Sequence, residues 1–213
     1  RGRRTRHALT LLALLAAQHQ VYRARQLVLS RGMHRLAWGL FMLLWLQIAL
    51  GGWVSTNYAV LACPDFPTCH GQWWPAMDFH QGFQIARPLG ARRDGGYLTF
   101  DALTAIHYTH RLAAYVVLAA LVGYAAALWR RGAAHRRYAG WLLGGALWQF
   151  VSGLSNVVLG WPLVAALAHT AGAAGLVIVL TALLTQAHQA RRAVTAAHAS
   201  MVPLSSASGR TAS

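Results

Sequence analysis

Four apolar stretches, Leu36–Val54, Leu103–Trp129, Ala139–Gly160 and Leu163–Leu184, constrain this chain more than any other feature. Each approaches or exceeds the roughly 20 residues that a helix needs to cross a bilayer. They predict an all-α, polytopic membrane four-helix bundle, with a long outer loop between the first and second spans. The short turn at Trp161-Pro162 makes the third and fourth spans antiparallel neighbours. Trp38 and Trp53 lie at the ends of the first span, where an interfacial aromatic belt belongs. Gly51-Gly52 allows close helix packing beside Trp53.

Charge supports the same reading. Only 11% of residues are charged, the net charge is +15, and there is no lysine and no glutamate. Basicity of this order suggests nucleic acid when it forms one continuous face. Here the arginines gather at the ends of apolar segments, as they do on the cytoplasmic side of a membrane protein. No nucleic-acid partner is expected. The clusters at 23–35, 130–137 and 191–192 put those connectors in the cytoplasm and the loop Ser55–Ala102 outside. Arg87, Arg92 and Arg93 are exceptions within that loop, and the rule is weakest for long loops.

Three regions follow. Residues 1–35 form a basic segment in which Ala8–Ala17 is too short to span, so it is either a truncated membrane helix or an interfacial one. Residues 36–192 form the transmembrane domain, and 193–213 a disordered cytoplasmic tail. The loop holds both cysteines, in Cys63-Pro-Asp-Phe-Pro-Thr-Cys69. Its prolines and Asp65 favour a tight turn, and a lone cysteine pair on the oxidising side reads as a disulfide. A metal site would need further ligands, for which His70 and His80 are the neighbours. Trp73 and Trp74 are expected to rest on the membrane surface, Gly95-Gly96 to turn the chain, and Asp101 to N-cap the second span.

Ionisable groups inside a span are costly and therefore informative. The topology sets His110 and His169 at one depth, roughly 10 Å below the outer face at 1.5 Å per residue. Gln47, Ser152, Ser155 and Asn156 fall at the same level. Two neutral imidazoles on facing helices suit bis-axial ligation of a haem iron. Ala168, Ala171, Gly172, Ala173, Ala174 and Gly175 leave room for a flat ring, although small residues also serve plain helix packing. Arg111 is expected to pair with a haem propionate, because the helices supply no acid to meet its charge. His107 lies one turn above His110 on nearly the same face, so spacing alone permits either as ligand; depth favours His110. The other histidines (His7, His19, His34, His70, His80, His135, His188, His198) are expected to be solvated.

Leu50-Gly-Gly-Trp-Val-Ser-Thr56, the Cys63–Cys69 loop with Gly71, His110-Arg111 and Ala168-His169 together resemble the haem A synthase family, over roughly Leu36 to Arg192. The resemblance implies two tandem four-helix halves, each with a histidine pair, in the bacterial inner membrane. This chain is similar to the C-terminal half, which carries a low-spin b-type haem. His110 and His169 fall on its iron-ligand positions, and Cys63 and Cys69 on its outer-loop disulfide positions. The implied reaction is oxidation of the haem O C8 methyl to a formyl group for cytochrome oxidase assembly. The implied partners are the lipid bilayer, haem O, a missing N-terminal half or homologous subunit, haem O synthase and an electron donor. The catalytic half carries a glutamate one turn before its His-Arg pair; His107 stands there here. No catalytic residue is therefore assigned, and the chain alone is expected to be inactive, a fragment or one part of a split protein. The alternatives are a free-standing membrane b-type cytochrome and a haem-free scaffold or transporter-like bundle. Transport would call for broken helices, of which only Gly153 gives a hint.

Overall fold

The computed structural model describes residues 27–201, with side chains to Ala196. Residues 1–26 of the basic segment, Ala8–Ala17 among them, lie outside the described residues. Four long helices carry the structure: α1 (Arg31–Thr56), α3 (Phe100–Trp129), α4 (Ala133–Val158) and α5 (Leu163–Met201). Between α1 and α3 lie a 3-10 turn (Ala59–Leu61) and the one-turn helix α2 (Phe79–Gly82). No strand occurs among the described residues, only isolated bridges at Cys69–Gln72 and Ala91–Tyr97. Residues 35–181 form one compact unit. Residues 27–34 and 182–201 belong to a second, in which Leu27, Leu29, Leu183 and Ala187 are buried.

Among the described residues, three helices are long and apolar enough to cross a membrane: Arg31–Thr56, Phe100–Trp129 and Leu163–Ala196, with mean hydropathies of 1.6, 2.0 and 2.1. Leu36, Met42, Val116, Leu163 and Val164 are exposed on them, as side chains facing acyl chains are. The helix expected as the third span, α4, has 26 residues, about 39 Å at 1.5 Å per residue. It has the length but less apolarity, because Gln149, Ser152, Ser155 and Asn156 interrupt it. The protein is a multi-pass membrane helical bundle. The last helix runs on to Met201, so the first nine residues of the segment expected as a disordered tail are helical.

The N-cap of α3 is Thr99, whose hydroxyl accepts from the Ala102 N–H. Asp101, expected to be that cap, instead sits in the first turn, where its charge still complements the helix dipole.

The outer loop is fastened to one turn of α3. His107 Nδ1 donates to Ala59 O at 2.9 Å, and Tyr108 Oη donates to Trp73 O at 2.6 Å. Arg111 donates through Nη1 to Asp65 O (2.8 Å) and Thr68 O (2.7 Å) and through Nη2 to Cys63 O (2.9 Å). Cys63 and Cys69 form the expected disulfide, buried at its base. A second anchor is Trp53, expected in the aromatic belt: its indole donates to Gly82 O at 3.0 Å, and the Arg87 guanidinium lies 5.4 Å above its ring. Arg87 is itself buried on Asn57 Oδ1 and the carbonyls of Gly82, Pro88 and Ala91. Arg92 pairs with Asp94, whose carboxyl that bond pushes down to about 2. Arg93 donates to Ala86 O at 3.3 Å, so all three arginines that break the charge rule are engaged within the loop.

Asp65 closes the cysteine turn. It accepts from Thr68 Oγ1 (2.6 Å), His70 N (2.7 Å) and Gly71 N (2.9 Å). These bonds, Thr68's foremost, hold its carboxyl well below the usual value of 3.8. The ionised form therefore stabilises the fold fully above pH 3.8, and that contribution fades as pH falls toward the lowered folded value. Asp65→Asn should lower stability at neutral pH by about 1 kcal/mol. The gap from wild type in thermal unfolding should stay constant down to pH 3.8 and narrow below it; a gap that ignores pH would contradict this.

Arg111→Ala should leave three buried carbonyls without donors. The haem-free chain should then lose about 3 kcal/mol or more, read as a fall in Tm of roughly 6–12 °C. Arg111→Lys should recover only part, since one ammonium cannot reproduce the fork. An unchanged Tm in Arg111→Ala would show that the guanidinium does not hold the loop.

Candidate functional site

One cavity of about 430 Å³ lies among α1, α3, α4 and α5, within the usual range for ligand pockets. His110 from α3 and His169 from α5 both border it. Its walls are otherwise mostly apolar, with Leu44, Ile48, Leu118, Leu121, Phe150 and Leu176 among them.

Each imidazole rests on a neighbouring helix in the same way. On α1, Gln47 Nε2 donates to His110 O at 3.1 Å. On α4, Gln149 Nε2 donates to His169 O at 2.9 Å. Four residues further along each helix stands a glycine pressed against the ring. A Cβ at Gly51 would lie 3.1 Å from His110 Cε1, and a Cβ at Gly153 would lie 3.1 Å from His169 Cε1. A larger residue at either place would make the imidazole shift by a few tenths of an ångström. The spacing Gln-x-x-x-Gly thus recurs at 47–51 and 149–153, and puts both side chains on one helix face.

The ring nitrogens are treated differently. Ser152 Oγ sits 3.0 Å from His169 Nδ1 and gives its own proton to Trp148 O at 2.6 Å. Gln47 Nε2 is 3.0 Å from His110 Nδ1. Two acceptors at the cavity wall, Gln47 Oε1 and Asn156 Oδ1, are buried without a hydrogen-bond partner.

His107 borders the cavity too, but both of its nitrogens are engaged. Nδ1 binds Ala59 O, and Nε2 lies 3.4 Å from Arg111 Nη2. His107 is thus engaged by the loop and by Arg111, whereas the His110 ring meets Gln47 of α1. Arg111 borders the cavity as well, yet its Nη donors go to loop carbonyls. A buried cation needs partners, and carbonyls meet that need as well as the carboxylate expected from the sequence. His70 and His80 are exposed, as expected, whereas His135, also expected to be solvated, is buried at the start of α4. The sulfurs near His70 are joined to each other, so that grouping offers no thiolate for a metal.

Sequence reasoning found Gln47 and the polar patch on α4 but missed their roles. The repeated Gln-x-x-x-Gly spacing was the available clue.

Residues 5–181 match the COX15-CtaA family, described as cytochrome oxidase assembly protein. The Heme A synthase of Shewanella oneidensis is 36% identical over 135 residues, covering 63% of this chain and 40% of that protein. The Heme A synthase of Halalkalibacterium halodurans is 29% identical over 166 residues, covering 75% of this chain and 47% of that protein. The chain therefore spans less than half the length of either relative. No solved structure matches it. With most of its length inside the family match, this chain belongs to the COX15-CtaA family of cytochrome oxidase assembly proteins.

Proposed function

We propose that this chain is the cofactor-holding half of a haem A synthase, with His110 and His169 as the axial ligands of a low-spin b-type haem. The observation that carries this reading is the pair of imidazoles on two helices, bordering one apolar cavity, each backed by a glutamine and a glycine. The donor set fits the group. Neutral imidazoles are common haem-iron ligands, Gly51 and Gly153 let the rings lie close against α1 and α4, and the walls are mostly apolar. A bound haem supplies one-electron exchange at its iron. The protein's own part is to hold the rings, to keep the site apolar and to place a cation beside it. Arg111 contributes that cation through its charge, which attracts propionates, while its Nη donors hold the loop.

In the complete enzyme the reaction is oxidation of the haem O C8 methyl to a formyl group, in an oxidoreductase serving cytochrome oxidase assembly. Another four-helix half, from the same longer protein or a separate subunit, supplies the substrate site. The electron donor and haem O synthase are further partners. The arginine-rich connectors face the cytoplasm of a bacterial inner membrane and the disulfide loop faces outward.

A second reading, a free-standing b-type cytochrome, is favoured by His107. It occupies the place of the family's glutamate with both nitrogens engaged, leaving no free proton acceptor there. Both readings give the isolated chain electron exchange without methyl oxidation, and both require the same ligands.

The purified chain, expressed with haem available, should show a sharp low-spin b-type absorption spectrum. His110→Ala and His169→Ala should each abolish it, and His107→Gln should retain it. A folded but colourless wild-type chain, judged by helical circular dichroism, would overturn the haem site. Restoration of formyl formation by adding the missing half would separate the synthase from the free-standing cytochrome.

A further inference from the structure

The two seats are not equivalent, and the difference lies in whether a neighbour fixes the ring proton. Three residues past its glutamine, α4 carries Ser152, whereas α1 carries Leu50 at the same place. Ser152 Oγ lies 2.6 Å from Trp148 O. Two oxygens approach that closely only with a proton between them, and a hydroxyl has one proton. Toward His169 Nδ1, at 3.0 Å, Ser152 can therefore only accept. That fixes the proton on Nδ1 and leaves the lone pair on Nε2.

His110 has no such partner. Leu50 offers no acceptor, and the Gln47 amide nitrogen donates to His110 O at 3.1 Å while lying 3.0 Å from Nδ1 and 3.5 Å from Nε2, off the line of either lone pair. Gln47 thus holds the main chain of His110 and leaves the ring tautomer unfixed.

We propose that Ser152 is a positioning residue that holds His169 in the tautomer protonated on Nδ1, ready to ligate through Nε2, while the His110 tautomer is left unfixed. The use of this tautomer in ligation rests on the haem reading above. The tautomer itself does not, and can be measured without haem. Metal-bound histidines generally give their other N–H to an acceptor that fixes the tautomer and raises ligand basicity. One ligand is thus preset by its neighbour on the next helix.

The test is nitrogen-15 NMR of the haem-free, histidine-labelled chain in detergent, with signals assigned through His110→Asn and His169→Asn. The wild type should show His169 protonated on Nδ1. Ser152→Ala should mix the tautomers of His169 alone, and Ser152→Thr, which keeps the hydroxyl, should restore the wild-type signal. His169 protonated on Nε2, or a His169 signal indifferent to Ser152→Ala, would each overturn the proposal. In haem-loaded protein, Ser152→Ala should weaken haem binding about ten-fold or more and raise the midpoint potential, with Ser152→Thr reversing both. A chain that shows the expected tautomer but stays colourless would overturn the haem reading and leave the assignment of Ser152 standing.

Discussion

A guanidinium buried beneath the outer loop is the constraint on which the rest of the site depends. Arg111 is 6% exposed, and a cation so placed must find oxygen or carry a heavy desolvation cost. It finds the carbonyls of Cys63, Asp65 and Thr68. Because those residues lie within or at the end of the disulfide turn, satisfying the charge also fixes the loop on α3. His107 and Tyr108 fix two more loop segments from the same helical turn. The loop is thereby held at the level of the cavity, and His110 lies on the turn that holds it.

The cavity depends on a second constraint, the close approach of helices. An imidazole lying on a helix needs a position without a Cβ, and Gly51 and Gly153 supply one each. The backbone carbonyl at each histidine takes an amide proton from the neighbouring helix, so the ring and its main chain are held together. Polar groups in an apolar layer strengthen one another when satisfied and are costly when not. The unpartnered oxygens of Gln47 and Asn156 are therefore the places where this layer can still gain a bond.

Much of the fold was legible in the sequence because it rests on periodic or compositional features. Apolar length gave the helices, arginine placement the connectors, and two cysteines around Pro64 and Pro67 the turn. The histidine pair followed from the cost of burying an imidazole among apolar residues. What escaped were interactions whose acceptors are main-chain carbonyls, since every residue has one and none is marked. Arg111 was thus expected to seek a carboxylate, and its Nη donors meet loop carbonyls instead; the bond from the Trp53 indole to Gly82 O was equally unmarked in the sequence. Thr99 and Asp101 are both good capping residues, and only the backbone shows that the helix begins between them, at Phe100.

The pairs α1 with α3 and α4 with α5 repeat one device, a Gln-x-x-x-Gly face carrying a histidine from the next long helix. Repetition explains why the two imidazoles meet one cavity: equal seats on antiparallel helix pairs present their rings to a shared interior. It also isolates what differs. Leu50 and Ser152 occupy the same place in the two seats, so the change of one side chain decides whether Nδ1 meets an acceptor. A hydroxyl whose own proton is bound to its helix can serve only one tautomer. An asymmetry in ligand readiness therefore needs no difference in backbone, cavity shape or depth; it needs one seat with a fixed acceptor and one without.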